Sequence, residues 1–232
     1  MSHPADHAEH TLPTETPTLT ARAILFDMDG TLVDSTAIVE QVWSEFADRY
    51  GLDIQEILRT SHGVRSGDTV RRYAPVGADV VALTAELDAM ERTRTDGVIA
   101  IPGAAALLTA LPDDAIALVT SADRVLAGIR MQAAGLPMPA TAVTSEAVTL
   151  GKPHPEGYLK AAAMLGVDAS DVVVFEDAPA GIAAARAAGM RTVVVGDAGH
   201  LEDGMWRIPD YSAVTVAAVK DDDGGHLLTL TL

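Results

Sequence analysis

Residues 23–31 read Ala-Ile-Leu-Phe-Asp-Met-Asp-Gly-Thr, an apolar run that stops at two acids and a glycine. Four consecutive apolar residues before a polar turn are typical of a short buried strand that ends in a loop. This pattern places Asp27 and Asp29 at the end of the strand, where Gly30 allows the chain to turn tightly. Taken alone, the segment is also compatible with a polar turn or a calcium-binding loop.

Three further apolar runs repeat this form at 115–119, 171–175 and 192–195, and each ends at polar residues. Alanine- and leucine-rich stretches between the runs predict helices, at 103–111, 124–134, 155–165 and 180–188. The alternation of buried strands and helices predicts an α/β fold with a doubly wound parallel sheet. Ligands bind such sheets at the carboxyl ends of the strands, so we expect the polar segments to converge on one crevice.

The remaining patterns predict how the chain is divided. Residues 21–35 and 100–210 carry the alternation of strands and helices and are predicted to form the core domain. Residues 36–99 carry only helical patterns and are predicted to form a small helical cap over the crevice. Residues 1–20 predict a disordered tail without a signal peptide, because they are polar and lack an apolar run. Residues 211–232 predict a β-hairpin on the core, with a Gly-Gly turn.

Composition limits the classes of partner. The sequence has 33 acidic and 16 basic residues, a formal net charge of −17, and no cysteine. An acidic surface disfavours nucleic acid and anionic membranes as partners. Without cysteine there are no disulfides, thiolate metal ligands or cysteine nucleophiles, which fits a cytoplasmic protein. Because the acidic surface repels phosphate, a phosphate site would need a local cation, basic side chains and backbone N–H groups.

The two acids of the first segment suggest phosphoryl transfer. A carboxylate such as Asp27 is anionic at neutral pH and can attack phosphorus without a base to activate it. Asp29 can protonate the leaving oxygen and later deprotonate water. Both are therefore candidate catalytic residues, and Thr31 can offer its hydroxyl and N–H to an oxyanion.

Two other segments suit phosphate binding. Thr120 and Ser121 follow the second apolar run and precede a helix, where hydroxyl and N–H groups can bind phosphate, although helix capping is the alternative interpretation. Lys152 lies between glycine and proline in the rigid segment 151–155 and supplies a positive charge, the alternative being an ordinary surface lysine. We interpret His154 as structural rather than catalytic.

A third segment suits a metal ion. Glu176 and Asp177 follow the run at 171–175, and adjacent acids near other carboxylates are unfavourable unless a cation neutralises them. With Asp27 nearby, they form an all-oxygen site suited to Mg²⁺. The alternative is a helix N-terminus that favours acids.

In combination these motifs resemble the haloacid dehalogenase-like (HAD) superfamily, with its Rossmann-like core and helical cap. The resemblance covers residues 23–210, and the motifs that carry it are FDMDGTLVDS (26–35), VTS (119–121), GKPHPE (151–156) and VVVFEDAPAGIAAARAAG (172–189). It implies that Asp27 is the nucleophile and Asp29 the general acid and base. It also implies phosphate contacts from Thr120 and Lys152, with help from N–H groups near Ser121.

The same resemblance implies a ligand set for Mg²⁺. The Asp27 carboxylate, the Asp29 main-chain carbonyl and the Asp177 carboxylate would hold the ion, and Glu176 would act through water or outside the direct ligands. Family members that cleave carbon–halogen bonds or phosphonates generally lack an acid at the position of Asp29. Its presence here points to phosphate esters.

A finer resemblance concerns the substrate. SHGVRSGDTVRRYAP (61–75) is similar to the glycerol-3-phosphatase and 2-deoxyglucose-6-phosphatase branch, which implies small sugar or polyol phosphates as substrates. His62, Gly63 and Arg65 would then form a specificity loop, although Arg65 could instead be a salt-bridged cap residue. The alternatives are a β-phosphoglucomutase-like phosphotransferase, a phosphoglycolate-type phosphatase and a non-catalytic phosphometabolite sensor. We expect a monomer or a weak homodimer.

Overall fold

The computed structural model describes residues 17–197, 204–221 and 224–232, and its centre is a sheet of six parallel strands. In spatial order the strands are β6 (Thr141–Val143), β5 (Ile116–Val119), β2 (Ala23–Phe26), β7 (Val172–Glu176), β8 (Arg191–Val195) and β9 (Trp206–Ile208). The predicted doubly wound α/β fold is confirmed. The edge strands β6 and β9 were not predicted, because each contributes only three residues.

The central strands are apolar throughout because both faces of the sheet are covered. In β2, Ile24 and Phe26 pack into one apolar cluster, whereas Ala23 and Leu25 pack into another. Successive side chains of a strand point to opposite faces, so burial on both sides requires an unbroken apolar run. Phe26 pairs in register with Phe175 of β7, and their rings stack with centroids 5.3 Å apart.

Two helices cover each face of the sheet. They are α5 (Ala104–Ala110) and α6 (Arg124–Ala133) on one face, and α7 (Glu156–Leu165) and α8 (Pro179–Ala187) on the other. The Asp123 side chain accepts the N–H groups of Val125 and Leu126 and so begins α6. No helix in the described part of the chain has the length and apolar character that a membrane span requires.

Four more helices lie between β2 and α5 and form what we call the helical insertion. They are α1 (Thr36–Tyr50), α2 (Ile54–Ser61), α3 (Ser66–Tyr73) and α4 (Val80–Thr93). Two short antiparallel strands, β3 (Val33–Asp34) and β4 (Ile99–Ala100), pair where the chain enters and leaves it. Trp43 and Phe46 pack edge to face inside the insertion, with ring centroids 5.6 Å apart.

A separate antiparallel sheet joins the two ends of the described chain. Its strands, in spatial order, are β1 (Thr18–Ala21), β11 (His226–Thr231) and β10 (Thr215–Lys220). The prediction of a tail through residue 20 was therefore wrong at its end. Leu19 is buried between exposed threonines, and this alternation is a strand pattern. The rest of the predicted tail, residues 1–16, lies outside the described residues.

Candidate active site

Three parallel strands end at the same edge of the sheet, and each brings a polar side chain there. Asp27 follows β2, Thr120 follows β5, and Glu176 is the last residue of β7. The Asp27 N–H donates to the carbonyl of Phe175 at 3.0 Å, which continues the pairing of the strands to the edge. The polar segments thus meet in one crevice, as ligand sites of parallel sheets do.

Lys152 joins two buried carboxylates in this crevice. Its ammonium group donates to Asp27 Oδ1 and to Glu176 Oε1, the latter at 2.6 Å. Burial raises the pKa of Asp27 to about 7, although the charge of Lys152 opposes the shift. Burial also acts to lower the pKa of Lys152, but attraction to Asp27 and Glu176 outweighs it and raises that pKa. Lys152 is therefore a fixed positive charge beside the candidate nucleophile.

Glu176 is completely buried, and both of its oxygens accept further hydrogen bonds. The Tyr158 hydroxyl donates to Oε1 at 2.9 Å, and the N–H groups of Asp177 and Ala178 donate to Oε2 at 2.9 Å each. Gly181 of α8 leaves room for this carboxylate, because a Cβ there would lie 1.4 Å from Oε1. Sequence analysis did not identify Tyr158, which reaches the site from α7.

An acidic group at the same edge could hold a metal ion. Asp27, Glu176 and Asp177 each offer a carboxylate oxygen, and these atoms all lie within 4.8 Å of one another. Burial, reinforced by the charges of Glu176 and Asp27, raises the pKa of Asp177 well above its ordinary value. The Thr31 hydroxyl donates to Asp177 Oδ1 at 3.0 Å. Carboxylates gathered this closely repel one another, and an oxygen donor set of this kind suits a hard divalent cation.

Asp29 is held by donors from two other elements. The Ser35 hydroxyl donates to Oδ1 at 2.6 Å, and Arg130 Nη1 of α6 lies 2.7 Å from Oδ2. The Asp29 carboxylate lines a cavity of about 120 Å³, whose wall also includes Asp27 and Thr120. The candidate acid and the candidate nucleophile therefore face the same small space.

Arg130 and Glu91 are site residues that sequence analysis missed. Arg130 is only 4% exposed, and its Nη2 lies 3.4 Å from Glu91 Oε2 on α4 of the helical insertion. Both residues line the cavity. A usable signal exists for Arg130, because it shares the buried face of α6 with Leu126 and Ala127. An arginine on an apolar helix face indicates a buried partner.

The helical insertion closes over the cavity through contacts with the strand ends. The Ser121 hydroxyl donates to the carbonyl of Gly63 in the insertion at 2.7 Å. The neighbouring Thr120 hydroxyl has a partner within the core, because its Oγ1 accepts the N–H of Ala122 at 3.1 Å. A second contact joins Arg92 of α4 to the Asp123 carboxylate at 2.5 Å. The Ser121 hydroxyl is therefore engaged with the insertion in this conformation.

The three loop residues predicted to contact the substrate differ in their position relative to the cavity. His62 and Gly63 line the cavity, whereas Arg65 does not. Arg65 Nε donates to Asp68 at 2.8 Å, and Nη1 donates to the carbonyl of Thr149 at 3.2 Å. The structure thus agrees with the alternative interpretation of Arg65 as a salt-bridged residue, because its guanidinium already has partners away from the cavity.

Comparison with known proteins places this geometry in a family. The model of the haloacid dehalogenase-like hydrolases matches residues 21–189. Hexitol phosphatase A of Escherichia coli (strain K12) is 43% identical over 178 residues, which cover 75% of this chain and 82% of that protein. Glycerol-1-phosphate phosphohydrolase 2 of Saccharomyces cerevisiae is 37% identical, over 78% of this chain and 77% of that protein.

Solved structures agree with the sequence comparison. The crystal structure of a hydrolase from Pseudomonas syringae superimposes with a TM-score of 0.70 at 25% identity, over 80% of this chain and 91% of that one. The matched residues 21–189 contain Asp27, Asp29, Lys152 and Asp177, which lie around one crevice in the structure. The chain belongs to the haloacid dehalogenase-like hydrolase family.

Proposed function

We propose that this protein is a Mg²⁺-dependent phosphatase that hydrolyses small sugar or polyol phosphates through an aspartyl-phosphate intermediate on Asp27. The observation that carries the proposal is the position of Asp27, whose carboxylate contacts the Lys152 ammonium group and belongs to the acidic group with Glu176 and Asp177. The relatives named as hexitol and glycerol-1-phosphate phosphatases support the substrate class.

The acidic group fits a divalent metal ion by the chemistry of its donors. Asp27 and Asp177 would hold the ion with the main-chain carbonyl of Asp29. Glu176 would stay outside the direct ligands, because its oxygens already accept four hydrogen bonds. When bound, Mg²⁺ would supply positive charge against the carboxylates and the substrate phosphate.

The first step transfers the phosphoryl group to the protein. An Asp27 oxygen attacks phosphorus, a new P–O bond forms, and the bond from phosphorus to the substrate alcohol breaks. Asp29 gives its proton to the departing alcohol oxygen. Ser35 and Arg130 hold the Asp29 carboxyl in place for this transfer, and Lys152 balances the negative charge near phosphorus.

The second step releases phosphate. Asp29, now a carboxylate, takes a proton from a water molecule whose oxygen attacks phosphorus. The bond between phosphorus and Asp27 breaks, which restores the carboxylate and frees inorganic phosphate. The cavity beneath the insertion has room for the attacking water beside Asp27 and Asp29.

We also propose that residues 36–99 act as a mobile cap on a core formed by residues 21–35 and 100–210. The insertion and the core are joined by polar contacts that can open to admit substrate and form again. These contacts are Ser121–Gly63, Arg92–Asp123, Arg65–Thr149 and Arg130–Glu91. His62 and Gly63 would then reach the substrate from the cap.

The test compares purified Asp27→Asn with Asp48→Asn, a matched change at an exposed position of α1. With Mg²⁺ and sorbitol 6-phosphate, glycerol 1-phosphate or 2-deoxyglucose 6-phosphate, we expect Asp27→Asn to lower phosphate release by at least about 10³-fold. Asp48→Asn should keep the activity of the unmodified protein. Mg²⁺-dependent turnover by Asp27→Asn would contradict the proposal, and so would glucose 6-phosphate accumulating from β-glucose 1-phosphate in place of inorganic phosphate.

A further inference from the structure

Glu91 is a buried acid that the proposed chemistry does not use. It lies on α4, is only 6% exposed and lines the cavity that also contains Asp27 and Asp29. Burial raises the pKa of Glu91 to about 7, although the charge of Arg130 opposes the shift. An acid in such a place is unfavourable unless something else in the cavity interacts with it.

The surroundings of Glu91 leave its oxygens available. Within the described part of the chain, the Arg130 guanidinium at 3.4 Å is the cation that faces Glu91, and no residue donates a hydrogen bond to the Glu91 carboxylate. Arg130 Nη2 is buried and likewise donates no hydrogen bond, while Nη1 is committed to Asp29. The cavity therefore presents the unfilled acceptors of Glu91 at its insertion side, and the buried Nη2 of Arg130 on α6 lies beside them without an acceptor.

The charge of Glu91 indicates what can lie against it. In its ionised form Glu91 disfavours a phosphate group beside it, whereas the Lys152 ammonium group beside Asp27 favours the phosphate of a substrate at the opposite side. Hydroxyl groups are suitable partners, because each can donate a hydrogen bond to the Glu91 carboxylate. Val39 and Trp43 of α1 add an apolar wall, which suits the C–H faces of a carbon chain.

We propose that Glu91 is a specificity-determining residue that accepts hydrogen bonds from hydroxyl groups on the carbon chain of the substrate, beside Arg130. The inference rests on the proposed phosphatase function and adds to it a preference for hydroxylated monophosphates. It also gives a reason for rejecting bisphosphates, because a second phosphate would meet the Glu91 carboxylate.

The main experiment compares two substrates of equal carbon number, sorbitol 6-phosphate and n-hexyl phosphate, in the full-length protein with Mg²⁺. Glu91→Met keeps much of the volume but removes the acceptors. We expect it to lower the ratio of kcat/KM for sorbitol 6-phosphate to kcat/KM for hexyl phosphate about ten- to hundred-fold, the loss typical of a hydrogen bond to a charged group. Glu91→Gln, which keeps one acceptor, should restore part of the ratio.

Glu86→Ala is the matched control. Glu86 lies on the same helix, but it is exposed and pairs with Arg49 at 2.6 Å, away from the cavity. This variant should keep the wild-type ratio. If Glu91→Met lowers both kcat/KM values by the same factor, Glu91 has only a structural role and the inference is overturned.

A second experiment, with Glu91→Gln, tests the inference if Glu91→Met does not fold. In Glu91→Gln we expect the kcat/KM for fructose 1,6-bisphosphate, relative to fructose 6-phosphate, to rise about ten-fold, because one like charge is removed from a buried site. An unchanged relative value would overturn the inference. Failure of the proposed function looks different, since the wild-type protein would then release phosphate from neither sorbitol 6-phosphate nor hexyl phosphate.

Discussion

Glu91 also makes the stability of the protein depend on pH. Its pKa rises from 4.5 to about 7 on folding, so the folded protein binds a proton more tightly than the unfolded chain does. Stability therefore falls as pH increases from about 4.5 through 7, because the ionised form is disfavoured in the folded state. Glu91→Gln removes this dependence. We expect the variant to gain on the order of 2 to 3 kcal/mol relative to wild type between pH 4.5 and pH 8.

Urea unfolding at several pH values, with EDTA present to keep metal binding out of the equilibrium, measures this gain. Glu86→Gln is the control, because Glu86 is exposed and its hydrogen bond to Arg49 holds its pKa below the ordinary value, the opposite direction from the shift of Glu91. A difference between Glu91→Gln and wild type that stays constant across the pH range would show that Glu91 does not titrate differently in the two states.

Individual residues differ in how far sequence could identify them. Short local patterns surround three of the residues. An apolar run that stops at acids precedes Asp27 and Asp29, and a glycine and a proline flank Lys152. Their position at a site could therefore be predicted. Glu91 and Arg130 lie on helices far apart in sequence and meet only when the insertion packs on the sheet. No local pattern records that packing. The roles of these residues in catalysis remain predictions, and the variants of Asp27 and Glu91 described above test two of them.

At the scale of elements, Gly181 of α8 lies where a larger residue would collide with the Glu176 carboxylate. A methyl group at Gly181 would lie 1.4 Å from Glu176 Oε1, and Glu176 is fixed by its hydrogen bonds. We expect Gly181→Ala to destabilise the protein by about 1 to 3 kcal/mol through overpacking, despite the better helix propensity of alanine. Phosphatase activity should fall as well, because Glu176 anchors Lys152.

Gly128→Ala in α6 is the matched substitution. A Cβ at Gly128 meets nothing within 4 Å, so we expect a gain of about 0.5 to 1 kcal/mol and unchanged activity. Urea unfolding and phosphate release of the two variants, side by side, separate the packing effect from helix propensity. Equal stabilisation by both substitutions would mean that Glu176 moves aside without loss.

Elements with long periodic or unbroken apolar patterns were predictable. The strands β2, β5, β7 and β8 lie within a residue of the predicted positions, because burial on both faces leaves a clear signal. The helices α5 to α8 also lie within a residue of their predicted positions. The strands β1, β6 and β9 were missed for a physical reason. They lie at sheet edges and are only three or four residues long, so partner strands rather than their own sequence define them.

At the scale of the whole molecule, the net charge of −17 should slow the approach of phosphorylated substrates. Salt screens this repulsion, and the screening length shortens from about 30 Å at 0.01 M to about 8 Å at 0.15 M ionic strength. We therefore expect kcat/KM for sorbitol 6-phosphate to rise about two- to five-fold over this range when free Mg²⁺ is kept saturating.

Steady-state kinetics in KCl solutions measure this effect, and kcat serves as the internal control because it does not depend on encounter. A steady fall of kcat/KM with added salt would instead show that local positive charge, such as Lys152 and bound metal, dominates the approach of the substrate.

The pairing of β1 with β11 has a consequence for biosynthesis. Thr18 lies opposite Thr231, so β1 finds its partner strand only after the ribosome has synthesised all of the chain between them. At typical elongation rates the delay is roughly 10 to 40 s. During that time the parallel sheet can assemble from β2 onward, whereas Leu19 stays without its apolar cover. Closure of this small sheet thus follows synthesis of all the strands of the parallel sheet, and it joins the beginning of the described chain to its end.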